Sequence, residues 1–133
     1  MTAVDTNVLV RLLTGDDPAQ AAAARALFES EHVWIAKTVL LETAWVLRSL
    51  YGFEDETIRG ALTKLLGLRS VSVEDTRAVA SALTLTSEGL EFADALHLAS
   101  TPESATFASF DGAFVKRATR AGASRIRKLQ GPN

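Results

Sequence analysis

Residues 1–13 read MTAVDTNVLVRLL. An apolar start is broken at Asp5, passes through Thr6 and Asn7, and resumes as VLVRLL. Taken as a short strand over residues 2–5 and a short helix over 7–13, the segment sets a carboxylate at a strand–helix junction. TFAS (106–109), followed by Phe110, Asp111 and the helical stretch GAFVKRATRAG, has the same layout near the other end of the chain.

Between these two junctions, helical and strand-like segments alternate. Asp16, Asp17 and Pro18 introduce a helix over AQAAAARALFESE, with proline at its first turn. VWIA (33–36) is a short apolar run suited to a buried strand. Thr38 is the expected cap of the helix VLLETAWVLRSLYG, and Asp55 of ETIRGALTKLLG, which stops at Gly67. SVSV (70–73) alternates as a strand does, and Asp75 is the expected cap of a helix reaching about Gly89. EFADALHLAS is a further helix stopping before Pro102, and SRIRKL a last edge strand. This order predicts an α/β fold: a mainly parallel sheet with helices on both faces, in one domain spanning residues 1–133. Ligands of such sheets bind beyond the carboxyl ends of the strands.

The chain has no cysteine, which excludes a disulfide framework and a cysteine-based zinc site. VLVRLL is too short, and too interrupted by Arg11, for a signal peptide or membrane span. A soluble, cytoplasmic protein is expected. The net charge of −2 conceals an asymmetry. Residues 1–115 carry 8 Lys/Arg and 16 Asp/Glu, whereas residues 116–133 carry 6 Lys/Arg and no acid. Such a basic segment attracts phosphate backbones, and equally well serves as a solvated helix face followed by a charge-protected edge strand. Lys116 and Arg120, four apart on the helix after Asp111, are the expected contacts of such a phosphate backbone.

Four acids occupy matching places. Asp5 and Asp111 fall where strands end; Glu42 and Asp94 fall in the first turns of helices flanking the VWIA and TFAS strands. In a parallel sheet these places face one rim. Each acid also has an ordinary explanation: Asp5 and Asp111 as helix caps, Glu42 on a solvated helix face, Asp94 as a first-turn acid favoured by the helix dipole. Together they predict an acidic cleft. Clustered carboxylates repel unless a positive charge sits among them, and the oxygen-only set suits Mg²⁺, with Mn²⁺ as a substitute. Asn7 and Ser109 are placed to orient a carboxylate or bind phosphate. His97 and His32 are not expected as ligands, and Trp34 and Trp45 are expected in the core or an interface.

VDTNVLVRLL, TVLLETAWVLRSLYG, EFADALHLAS and TFASFD, in this order and spacing, resemble the PIN-domain family, and more narrowly the VapC-type toxins of toxin–antitoxin pairs. The resemblance covers nearly the whole chain. It implies a three-layer α/β/α sandwich and a metal-dependent ribonuclease acting on structured RNA such as tRNA or rRNA. The family's acidic set falls on Asp5, Glu42, Asp94 and Asp111, with Asp5, Asp94 and Asp111 as metal ligands; Asn7 and Ser109 match its supporting polar positions. One departure is the absence of a further acid just after Asp111, where Gly112, Ala113 and Phe114 stand. This puts a second metal in doubt, with Glu91 as a stand-in. The resemblance further implies a homodimer and a VapB-type antitoxin that projects a basic side chain into the cleft, with DNA touched only through that antitoxin. Two other function classes stay open at this point: a catalytically silent PIN-fold binding module and a metal-dependent phosphohydrolase acting on small molecules.

Overall fold

A computed structural model describes residues 1–131; the last two residues of the expected domain lie outside the described part. The order of elements is β1 (Thr2–Ala3), α1 (Thr6–Thr14), α2 (Pro18–Ser30), β2 (Val33–Ile35), α3 (Lys37–Ser49), α4 (Asp55–Leu66), β3 (Val71–Val73), α5 (Thr76–Ser87), α6 (Phe92–Ala99), β4 (Phe107–Ser109), α7 (Gly112–Arg120) and β5 (Ile126–Lys128). The expected mixed α/β class with parallel pairing is borne out: every strand pairing among the described residues is parallel. None of these helices is long and apolar enough to cross a membrane.

The chain divides into two compact units, residues 1–77 and 78–133, with the boundary inside α5. In the first, β2 lies between β1 and β3, with Val33 paired to both Thr2 and Val71. Val33 and Ile35 are fully buried, as an apolar run flanked by strands on both sides requires. Helices α1, α2 and α3 pack together, and Leu9, Val10, Leu40 and Leu47 are buried. Asp17 caps α2 from a position directly before Pro18, its carboxylate accepting from the Gln20 amide at 3.1 Å. A polar knot ties this region together. Asp16 accepts from Arg11 at 2.8 Å, from the Thr14 hydroxyl at 2.9 Å, and from the Tyr51 hydroxyl.

In the second unit, β4 and β5 pair in parallel, with Ser109 opposite Lys128, and α7 packs on both strands. Phe107 and Phe114 meet edge-on at 5.7 Å, joining strand to helix. Ala78, Val79, Ala82, Leu90, Phe92, Ala95, Leu96 and Ala118 are buried in this unit as well.

Two expected helix caps are corrected. Thr38 lies inside α3, which starts one residue earlier with Ala36 at the N-cap. The Lys37 amide is satisfied from a distance, by the Glu74 carboxylate at 2.9 Å, so a local hydroxyl is not required there. Asp55 is the first residue of α4, behind Glu54 at the N-cap, and its carboxylate faces Arg48 at 3.6 Å. Asp75 directly precedes α5 with a positive φ of 56°, and its carboxylate accepts from Lys37 at 3.1 Å.

Candidate functional site

Asp5 follows the end of β1 by two residues and is the N-cap of α1; its Oδ1 accepts from the Val8 amide at 3.1 Å. Asp111 follows the end of β4 by two residues and is the N-cap of α7; its Oδ1 accepts from the Phe114 amide at the same 3.1 Å. The ordinary cap role is therefore filled at both places. It occupies one lone-pair direction of a carboxylate that has about four. Both aspartates are exposed, which leaves the remaining directions facing outward.

In the first unit, Thr6 is the link that the sequence did not disclose. Its side chain is buried, and its hydroxyl donates to Glu42 on α3. That bond holds Glu42 against the first turn of α1, at the residue adjacent to Asp5. Glu42 is otherwise exposed, as is Asn7 in the first turn of α1. The Asp–Thr–Asn run was visible, but the partner of Thr6 lies 36 residues away. No local pattern points to it.

In the second unit, Asp94 is half-buried in the first turn of α6. Burial pushes its carboxyl above the ordinary range, and the neighbouring negative charges of Glu91 and Asp111 push it further, while His97 and Arg117 act in the opposite direction. Asp94 and Asp111 thus share one electrostatic field. Glu91, the N-cap of α6, belongs to it as well. The Ser109 hydroxyl accepts from the Asp111 amide at 3.0 Å, fixing the turn that presents this acid.

Three further groups lie near these acids; Arg117 and Lys128 belong to the basic segment after Val115, and Phe110 is an addition to the residues singled out by sequence. Arg117 is the α7 cation whose charge reaches Asp94, whereas Lys116 and Arg120 are exposed on the same helix. Phe110, directly before Asp111, is 64% exposed. Lys128 reaches from β5 to the start of α7. The parallel pairing of β4 with β5 carries Lys128 there, and sequence separation hid it.

Within neither unit do three or more His, Asp or Glu side chains among the described residues form a ready cage for a metal ion. The donor chemistry nevertheless fits a hard divalent cation. The acids offer only oxygen, and Asp94 sits in negative charge that His97 and Arg117 offset only in part and that a cation relieves.

The sequence model of the PIN domain matches residues 2–119. Among solved structures, the chain is similar to a crystal structure of Mycobacterium tuberculosis VapC20, described as a sarcin-ricin loop cleaving toxin. The identity is 24%, over 96% of this chain and 99% of that one, with a TM-score of 0.45. No curated protein matches in the corresponding comparison. A match running from the first strand to the last helix, through both strand–Asp–helix junctions, settles the family: this chain belongs to the PIN domain family.

Proposed function

We propose that the chain is a divalent-metal-dependent endoribonuclease that acts as the toxin of a toxin–antitoxin pair, with residues 1–133 working as one PIN domain. The observation that carries this reading is Asp94. In a PIN-family chain, a half-buried acid raised by burial and by two further acids is poorly suited to stability and well suited to holding a cation.

In this reading Asp5, Asp94 and Asp111 hold Mg²⁺, or Mn²⁺ in its place. When bound, the ion supplies Lewis-acid neutralisation of the phosphodiester's growing charge. Glu42, held by the Thr6 hydroxyl, orients the attacking water and takes up its proton. Asn7 and Ser109 support the phosphate and the Asp111 turn. Lys116 and Arg120 hold the RNA backbone along α7. Direct attack by water, without the 2′-hydroxyl, leaves a 5′-phosphate and a 3′-hydroxyl. The substrate is a structured RNA of the tRNA or rRNA class. The inhibitory partner is a VapB-type antitoxin whose guanidinium pairs bidentately with the acids. The toxin itself forms a homodimer in the cytoplasm and meets DNA only through the antitoxin.

The test is incubation of purified protein with tRNA and rRNA, with and without Mg²⁺, followed by end analysis of the products. Mg²⁺-dependent internal cleavage with 5′-phosphate ends is expected. Tight RNA binding without cleavage, or hydrolysis of small phosphoesters alone, would replace this reading.

A further inference from the structure

Gly112 opens α7 directly after Asp111. A Cβ placed on Gly112 would lie 3.3 Å from both Cε and Nζ of Lys128. The lysine side chain therefore lies across the glycine, over the amino end of the helix. Its backbone is held in register by parallel pairing, with Lys128 opposite Ser109. Parallel strands end at the same edge, so β5 delivers its last residue to the edge from which Asp111 projects.

This is a poor place for a cation on grounds of helix stability alone. A helix amino end carries partial positive charge, and a nearby ammonium is disfavoured there. Lys128 makes no ion pair among the described residues, and it is exposed. Neither burial nor a fixed carboxylate partner accounts for its position. A negatively charged ligand arriving beside Asp111 does. Lysine is a compact point charge and binds phosphate oxygens without a demand for planar, two-pronged geometry.

We propose that Lys128 is a substrate-contacting residue of the nuclease site, holding a phosphate oxygen of the RNA backbone beside Asp111. The inference rests on the ribonuclease reading above. It adds a contact from β5 to those expected from α7.

The experiment measures binding of a fluorescein-labelled RNA stem-loop to the full-length chain in EDTA, so that cleavage does not intervene, across a salt series. The variants are Lys128→Ala, Lys128→Arg and, as a charge-matched control, Arg127→Ala. Successive strand residues point to opposite faces, so Arg127 reports charge loss on β5 away from the Lys128 position. Lys128→Ala is expected to weaken binding about tenfold and to flatten the slope of log affinity against log salt by roughly 0.7 to 0.9. Lys128→Arg is expected to restore most of the affinity, and Arg127→Ala to stay within about twofold of wild type. Wild-type affinity in Lys128→Ala, or equal losses in Lys128→Ala and Arg127→Ala, overturns the proposal while leaving the ribonuclease reading intact. Absence of both RNA binding and Mg²⁺-dependent cleavage in the wild type overturns the two together.

Discussion

The Thr6 hydroxyl donates to the Glu42 carboxylate, joining the first turn of α1 to the second turn of α3. The bond gives a buried hydroxyl its acceptor and gives an exposed carboxylate one orientation. Thr6→Val removes the donor and keeps the shape of the side chain. Glu42 then samples several rotamers. The expected outcome is a fall in kcat of about tenfold, the equivalent of one lost charge-assisted hydrogen bond, with KM little changed. Steady-state cleavage of a defined RNA checks this, with thermal unfolding to show that the fold persists.

Asp94→Asn separates chemistry from stability. The native-state carboxyl is raised above its unfolded value, so protonation favours the folded form. Its favourable contribution is full below the unfolded pKa and is lost as pH rises through the folded pKa. At neutral pH, without metal, ionised Asp94 is therefore a cost. Asp94→Asn is expected to abolish cleavage, to raise the metal-free Tm at pH 7, and to show a shrinking gain as pH falls toward 4. Scanning calorimetry in EDTA at several pH values measures it. A Tm that drops at pH 7 contradicts the electrostatic account.

Asp111 serves as cap and candidate ligand at once. Asp111→Asn keeps an oxygen for the Phe114 amide, whereas Asp111→Ala leaves that amide open. Both variants should lose cleavage, but only Asp111→Ala should also lose stability, by about 1 kcal/mol. Urea titration of the pair distinguishes them. Equal activity loss with unequal stability loss is the expected signature.

The alternation of helices and strands was legible because most signals lay within a few residues of one another. Asp17 before Pro18 starts α2, and the Asp5 and Asp111 junctions each cap the helix that follows. Reading failed where the decisive partner came from elsewhere. The start of α3 is satisfied by Glu74 rather than Thr38, through a contact 37 residues away. The four acids were readable from type and position. Thr6 as holder of Glu42, Arg117 as the cation felt by Asp94, and Lys128 over Gly112 all depend on packing.

Trp45 on α3 is 58% exposed, and Leu50 at the end of that helix is 70% exposed. A large exposed aromatic is a natural anchor for an interface, and we expect the proposed homodimer to use it. Trp45→Ser should weaken self-association at least tenfold without unfolding the chain. Sedimentation velocity across micromolar concentrations measures the shift. A monomeric wild type, or a variant that dimerises equally well, removes Trp45 from the interface.

Acid should loosen the first unit at the Asp16 knot. The Tyr51 hydroxyl foremost, with the Thr14 hydroxyl and Arg11, holds the Asp16 carboxyl down at about 2, against the opposing effect of burial. A depressed pKa contributes stability above the unfolded value of 3.8, and that stability is lost as pH falls toward 2. Tyr51→Phe removes the leading donor. It should move the acid-unfolding midpoint upward, as followed by far-ultraviolet circular dichroism.

On the proposed ribonuclease reading, Asp5 and Asp111 are each both cap and metal ligand, and this has a genetic consequence. Aspartate codons become asparagine codons by one base change, and asparagine is as good a helix cap as aspartate. A well-folded but inert chain is therefore one transition away at either position, whereas replacement by most other residues sacrifices the helix start as well. Cells under selection from the active protein should be enriched for asparagine at 5 or 111. Such survivors would still make a protein competent to occupy the proposed antitoxin, a dominant decoy rather than a simple loss.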